Sequence, residues 1–277
     1  MTDHYAVIGN PIEHSKSPAI HATFAQQTGE EIDYTRILGE MDGFKRNVAD
    51  FISRGGKGLN ITVPFKEDAW RLADERSPGA ETAGAVNTLI LLEDGRLRGD
   101  NTDGTGLVRE LGKNHGCELK GKRILLLGAG GASRGVIRPL LDTEPLSLTI
   151  ANRTASKAIS LAQDTHHLGP VSGCGLDQLT GQKFDLIING TAAGLGGKVP
   201  EIPDDILESG GWCYDMMYSD KPTAFVTWGR QHHAEKSMDG LGMLIEQAAE
   251  SFYLWRGVRP DTQAVIHSMR PNPEQPS

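Results

Sequence analysis

The sequence predicts an α/β protein built as two domains, and three features of the 277-residue chain point to it. Arg123–Leu127 is a continuous apolar run that opens into a glycine-rich turn, as buried parallel strands tend to do. Down the second half, short apolar runs alternate with helix-like stretches, which calls for right-handed crossovers and a parallel sheet. The first half, from Tyr5 to about Asp103, alternates as well, but Asp94-Gly95 between Val86–Leu92 and Arg96–Arg98 reads as a hairpin.

Taken in order, Tyr5–Ile8 reads as a strand and Ser17–Thr28 as a helix with Pro18 at its first position. Ile32–Leu38 is strand-like, and Asp42–Ser53 is amphipathic, with Phe44, Val48, Phe51 and Ile52 at helical spacing. Leu59–Val63 reads as a strand, followed by Pro64 and a helix to about Ala73. The second half opens with a helix near Gly104–His115. Strands follow at Arg123–Leu127, Leu148–Ala151, Asp185–Ile188 and Trp212–Met216, with helices at Ala155–Gln163 and Thr223–His232. A last apolar and aromatic helix spans about Met243–Arg256, and the proline-rich tail from Met269 has little to bury and is expected to be disordered.

Composition narrows the function classes. With 38% hydrophobic and 23% charged residues the chain is an ordinary globular one. A formal charge of −8 argues against general nucleic-acid binding. No apolar stretch approaches the roughly 20 residues of a membrane helix, and Met1–Asn10 lacks the pattern of a signal peptide. Cys117, Cys174 and Cys213 are odd in number and widely spaced. No zinc site or other metal is expected, and reduced thiols in a cytoplasmic protein fit best.

The turn Gly128-Ala129-Gly130-Gly131-Ala132-Ser133-Arg134-Gly135 lies between a strand and a helix start. Gly128 permits the tight turn. Gly130, with no side chain, lets a pyrophosphate approach the backbone, and the helix N-terminus offers unpaired N–H groups. Ser133 occupies a third position where Gly or Ala is usual. Strand and helix context make this a dinucleotide site on a Rossmann-like domain. Ala151-Asn152-Arg153-Thr154 closes the second strand, where an NAD-binding domain usually places an acid. Arg153 can pair with a 2′-phosphate and Thr154 can add its hydroxyl, so NADP is expected over NAD. The plain alternative is that Asn152 or Thr154 only caps the next helix.

The first half supplies polar groups in unusual places. Asn60 and Thr62 alternate with apolar residues and share one strand face, where both can bond a hydroxylated ligand. Lys66 at a helix start opposes the helix dipole. Asn87 sits among apolar residues and needs partners if buried. Ser15 and Ser17 flank a helix entry that could cradle a carboxylate. Asp103 on its own reads most simply as a helix N-cap.

Eight ordered stretches resemble the shikimate dehydrogenase family: Val7–Pro18, Asn60–Lys66, Gly84–Thr88, Gly99–Gly104, Gly128–Ala132, Asn152–Thr154, Asn189–Thr191 and Asp239–Met243. The resemblance implies reversible NADPH-dependent reduction of 3-dehydroshikimate to shikimate. It implies Lys66 and Asp103 as the catalytic pair, and Ser15 and Ser17 with Tyr218 on the substrate carboxylate. It places Thr62, Asn87 and Gln247 on ring hydroxyls, Met216 and Gly240 beside the nicotinamide, and Asn189 and Thr191 in the cofactor groove. If Gln247 reaches substrate, the last helix returns to the first domain. The expected domains are then 1–103 plus 241–277 for substrate and 104–240 for NADP, with the active site in the cleft between them. Members often carry an acid near position 78. This chain has Pro78, so that contact is not carried over. A quinate-using relative of dual specificity and a non-catalytic sensor of the same fold are the alternatives. Monomer and homodimer are both compatible.

Overall fold

A computed structural model describes residues 2–191, 193 and 197–270. Its chain divides into two compact units, one of Met1–Gly106 with Ile245–Met269 and the other centred on Leu107–Leu244. The first unit is therefore discontinuous. The expected disorder of the tail concerns 271–277, which lie outside the described residues.

In the first unit the elements run β1 (Asp3–Gly9), α1 (Ser17–Thr28), β2 (Ile32–Leu38), α2 (Phe44–Ser53), β3 (Gly56–Ile61) and α3 (Lys66–Leu72). There follow β4 (Glu75–Arg76), α4 (Pro78–Ala83), β5 (Thr88–Leu91) and β6 (Leu97–Asp100). The six strands form one mixed sheet in the order β2-β1-β3-β5-β6-β4. β1 pairs in parallel with both neighbours, while β3–β5 and β5–β6 are antiparallel, so the hairpin signal is met. Its core joins Ile8, Phe44, Val48, Leu59, Ile61, Phe65 and Leu89. Several expected bounds move by a few residues, two of them for a plain reason. α2 starts at Phe44 rather than Asp42, because Gly43 occupies its N-cap position. β3 ends at Ile61 rather than Val63, where the chain leaves the sheet: Phe65 donates back to the Thr62 carbonyl at 3.0 Å.

α5 (Asp103–Arg109) leads into the second unit and gives way to a π-helical turn at Glu110–Asn114. A regular helix to His115 was expected. Instead the His115 amide donates five residues back to the Glu110 carbonyl, and the buried Glu110 carboxylate gathers Asn114 at 2.7 Å and His115 at 2.9 Å. The unit continues through β7 (Arg123–Leu127), α6 (Gly131–Leu141), β8 (Ser147–Asn152), α7 (Ala155–Thr165), β9 (Val171–Gly175) and β10 (Phe184–Asn189). β11 (Leu207–Asp215), α8 (Ala224–Gln231) and β12 (Lys236–Met238) complete its sheet. The order β12-β11-β10-β7-β8-β9 is parallel throughout. Read outward from β7, the connections run one way to β8 and β9 and then reverse to β10, β11 and β12. That reversal between β7 and β10 is the switch point at which open α/β sheets bind ligands.

β9 and β12 were not foreseen. Both are edge strands, and Val-Ser-Gly-Cys-Gly and Lys-Ser-Met carry no apolar run because an edge is covered less. α9 (Leu241–Arg256) and α10 (Gln263–Met269) end the described chain, α10 also unforeseen. Trp255 stacks on Tyr5 at 4.6 Å and donates to the Leu89 carbonyl at 3.0 Å. Arg256 reaches Asp3 and Glu30. These contacts fasten the end of α9 to the first sheet. Among the described residues no helix is long and apolar enough to cross a membrane.

Candidate active site

Lys66 is the first residue of α3, and its ammonium lies 2.6 Å from Asp103 Oδ2. The side chains are 30% and 16% exposed, so the pair is reachable yet partly shielded from water. The dipole penalty on Lys66 is met by Glu67 and Asp68 in the same turn and by Asp103 itself. Asp103 is not a cap. It is the first residue of α5, and its other oxygen accepts from Asn87 Nδ2 at 2.8 Å.

Asn87 is buried and fully engaged. Its oxygen accepts from the Thr102 amide and the Thr88 hydroxyl, each at 2.9 Å. Its nitrogen donates to Asp103 and to Thr102 Oγ1 at 3.0 Å, with Gln247 Oε1 at 3.4 Å. Gln247 on α9 thus stands in the first unit, beside the pair, as does Thr102. Asn60 is also buried. It accepts from the Tyr34 phenol at 2.7 Å and donates to Ser251 at 2.9 Å, so its polar atoms serve the protein interior. Thr62 is half-buried just past β3, against the close turn at Gly9. Ser15 and Ser17 are half-buried at the entry to α1, where Ser15 Oγ accepts from the Ser17 amide at 3.3 Å and Arg36 clasps the Ser15 carbonyl at 2.6 Å.

The second unit holds the other candidates. Gly128 has φ +105°, a conformation that favours glycine, and a Cβ there would come within 3.1 Å of the Gly190 carbonyl. Gly130 and Gly131 face open space, with no atom within 4 Å of a built Cβ. They lie where α6 begins, with Ala129 half-buried and Ala132 exposed beside them. Buried Ser133 fills the gap between Gly128 and Gly190. Asn152 donates to the Thr154 carbonyl at 3.0 Å, and Thr154 holds the cap position of α7 without a side-chain cap bond. Arg153 is exposed. Its neighbour in the first turn of α7 is Lys157, and no acid is present in that turn. Sequence reading passed over Lys157 because it looks like any solvated lysine.

Asn189 ends β10 and accepts from both the amide and the hydroxyl of Thr191, at 3.1 and 2.7 Å. Its amide donates at 3.1 Å to Asp215, a fully buried carboxylate that also accepts from Met217 N at 3.1 Å and Thr223 Oγ1 at 2.6 Å. Burial pushes the Asp215 carboxyl above its usual range, against the pull of those donors. Met216 follows directly, its amide on the Asn189 carbonyl at 2.9 Å. Gly240 packs so closely that a Cβ would sit 2.3 Å from the Met216 carbonyl. Tyr218 is half-buried in the loop beyond, its phenol raised by burial. Asp215 was missed, although an acid closing an apolar strand was a usable signal.

The second unit has the strand order of dinucleotide-dependent oxidoreductases, with the glycine turn at the switch point, and the first unit holds a lysine paired with a carboxylate. Comparison with known proteins makes that class specific. The model of the shikimate dehydrogenase substrate binding domain matches residues 7–89, that of shikimate/quinate 5-dehydrogenase residues 110–195, and that of the shikimate 5′-dehydrogenase C-terminal domain residues 240–270. The NADP(+) shikimate dehydrogenase of Alkalilimnicola ehrlichii is 59% identical over 98% of this chain and 100% of its own. Among solved structures, an Ael1 enzyme from Pseudomonas putida is 45% identical with a TM-score of 0.92, over 99% of this chain and 100% of its own. The shikimate 5-dehydrogenase of Thermus thermophilus, solved with NADP(H) and shikimate, is 31% identical with a TM-score of 0.85, over 96% and 98%. The chain belongs to the shikimate dehydrogenase family.

Proposed function

We infer that the chain is an NADP-dependent shikimate dehydrogenase that interconverts 3-dehydroshikimate and shikimate. The observation that carries this is the Lys66–Asp103 pair at 2.6 Å in a chain 59% identical to an NADP(+) enzyme of that activity. Residues 1–103 with 241–277 are assigned to substrate and 104–240 to cofactor. The setting is the cytoplasm, where a biosynthetic enzyme finds its substrate.

NADPH, when bound, supplies the hydride. Gly128, Ala129, Gly130, Gly131 and Ala132 would seat its pyrophosphate in the open space at the start of α6. Arg153, with Asn152, Thr154 and Lys157, would hold the 2′-phosphate. Asn189, Thr191, Met216 and Gly240 would shape the nicotinamide end. Ser15, Ser17 and Tyr218 would take the substrate carboxylate. Thr62, Gln247 and Asn87 would take ring hydroxyls, the Asn87 nitrogen exchanging its contact with the Thr102 hydroxyl for the ligand. Asn60 supports them from behind. Lys66 gives its proton to the oxygen on which alkoxide charge develops and regains one from solvent. Asp103 orients that ammonium.

Two substitutions separate the cofactor roles. Gly130 has an ordinary φ of −91° and empty space around it, so Gly130→Ala should leave thermal stability unchanged. The added methyl should weaken NADPH binding about tenfold or more, seen by fluorescence titration. Unaltered affinity would remove the pyrophosphate from this turn. Arg153→Asp puts an acid where a 2′-phosphate is expected and should lower the NADP-over-NAD preference about 100-fold. A preference that does not move would end the assignment of Arg153. The overall reading is tested by following NADPH formation from shikimate. Steady turnover supports the enzyme, whereas ligand binding without turnover would make the chain a sensor.

A further inference from the structure

Behind the candidate pair lies a chain of buried hydroxyls and amides whose hydrogen-bond direction is fixed at its Asp103 end. The Thr102 amide can only donate, so the Asn87 atom facing it at 2.9 Å is oxygen, and the Asn87 nitrogen faces the Asp103 carboxylate. The Thr88 hydroxyl, 2.9 Å from that oxygen, must therefore donate to it. Its lone pairs are left to accept, and they face Asn60 Nδ2 at 3.3 Å and the Ser251 hydroxyl at 2.7 Å, whose one hydrogen is shared between Thr88 and the Gln247 carbonyl at 3.1 Å. Ser251 in turn accepts from Asn60 Nδ2 at 2.9 Å, and the Asn60 oxygen accepts from the Tyr34 phenol at 2.7 Å. The direction is fixed from Thr88 to Asn87 to Asp103, and behind Thr88 the donors are Tyr34 to Asn60 and Asn60 to both Ser251 and Thr88.

We propose that Thr88 and Ser251 are positioning residues of the dehydrogenase reaction, which hold Asn87 polarised toward Asp103 and so fix the carboxylate that orients Lys66. The proposal rests on the function inferred above and deepens it. Thr88 and Ser251 are both fully buried, so neither touches a ligand from solvent. Two donors on the Asn87 oxygen draw density from its nitrogen, which strengthens the N–H that reaches Asp103. Along the relay the charged side chains are Lys66 and Asp103. His21, stacked on Tyr34 at 4.2 Å, is neutral, burial pushing its imidazole down to about 3, and burial holds the Tyr34 phenol well above its usual range. On α9, Glu246 is engaged by Thr262 and Glu250 by Arg259. A change in the acid limb of the rate profile therefore reports on the pair.

The test is Thr88→Val, which keeps the shape and removes the hydroxyl, beside Thr88→Ser, which keeps the hydroxyl. With shikimate and NADP, Thr88→Val should lose about tenfold in kcat with a smaller change in KM for NADP. The acid limb of kcat/KM should move to higher pH, because a bond to the ionised carboxylate has weakened. Thr88→Ser should recover most of both. Ser251→Ala should show the same changes at smaller size, since Asn60 Nδ2 lies 3.3 Å from Thr88 Oγ1 and can bridge the gap. It also stands in if Thr88→Val does not fold. A wild-type acid limb in both Thr88→Val and Ser251→Ala, or a Thr88→Ser enzyme as impaired as Thr88→Val, would overturn the relay while leaving the dehydrogenase intact. Absence of turnover in the unmutated chain would overturn both readings together.

Discussion

Lys66→Ala is expected to lower shikimate turnover by about 100-fold or more, the usual contribution of a placed general acid–base group. The reason is geometric. Nζ sits 2.6 Å from Asp103 Oδ2 at the start of α3, and the Lys66 carbonyl accepts from Val86 N at 2.9 Å. The backbone is thus tied to the segment that leads into β5, and the side chain reaches the same segment through Asp103 and Asn87. Removing the amine leaves the developing alkoxide without its proton donor. Asp103, which keeps the Asn87 amide among the described residues, remains with an unbalanced charge. NADPH affinity should hardly change, because every residue assigned to that cofactor lies in the second unit. Steady-state rates with a parallel NADPH titration check both parts, and near-normal kcat would remove Lys66 from the mechanism.

Asp215→Ala is expected to be the most damaging single change to the second unit. It would leave three donors, from buried Asn189 and half-buried Met217 and Thr223, without the fully buried carboxylate that they share. At about 1 kcal/mol or more for each unsatisfied group the loss is about 3 kcal/mol, or a fall in melting temperature of about 6–12 °C. Thr223 would also lose part of its anchoring as the cap of α8, where it accepts from Val226 N at 3.1 Å. The carboxyl brings a pH dependence of its own. It is raised in the fold, chiefly by burial, so it holds a proton more readily folded than unfolded. Its contribution is fullest below the ordinary carboxylate range and is lost as pH rises through the raised value. Asp215→Asn, neutral throughout, should flatten that slope in thermal melts taken from acid to neutral pH. A slope equal to wild type would show that the charge is not borne there.

What was legible in the sequence follows from where each signal is written. The central strands β7 and β10 are covered on both faces and therefore spell continuous apolar runs. The edge strands β9 and β12 are not, and passed as loop. Gly128 announces itself because a positive φ needs glycine, whereas the open space at Gly130 becomes visible only in three dimensions. Asp103 looked like a cap because a local rule explained it. Its real partners, Lys66 and Asn87, are 37 and 16 residues away. Thr88 and Ser251 were invisible for the same reason: a small hydroxyl among apolar neighbours fits any core, and these two meet across 163 residues of chain. Asn60 was read as facing a ligand, yet its amide is spent on Tyr34 and Ser251.

The central claim, that this chain oxidises shikimate with NADP, is tested most directly by steady-state rates in four combinations: shikimate or quinate, each with NADP or NAD. The arrangement of Arg153 and the Lys66–Asp103 pair predicts the highest kcat/KM for shikimate with NADP, with NAD weaker by about 100-fold. Equal or greater kcat/KM for quinate with NAD, or no reduction of either cofactor, would contradict it.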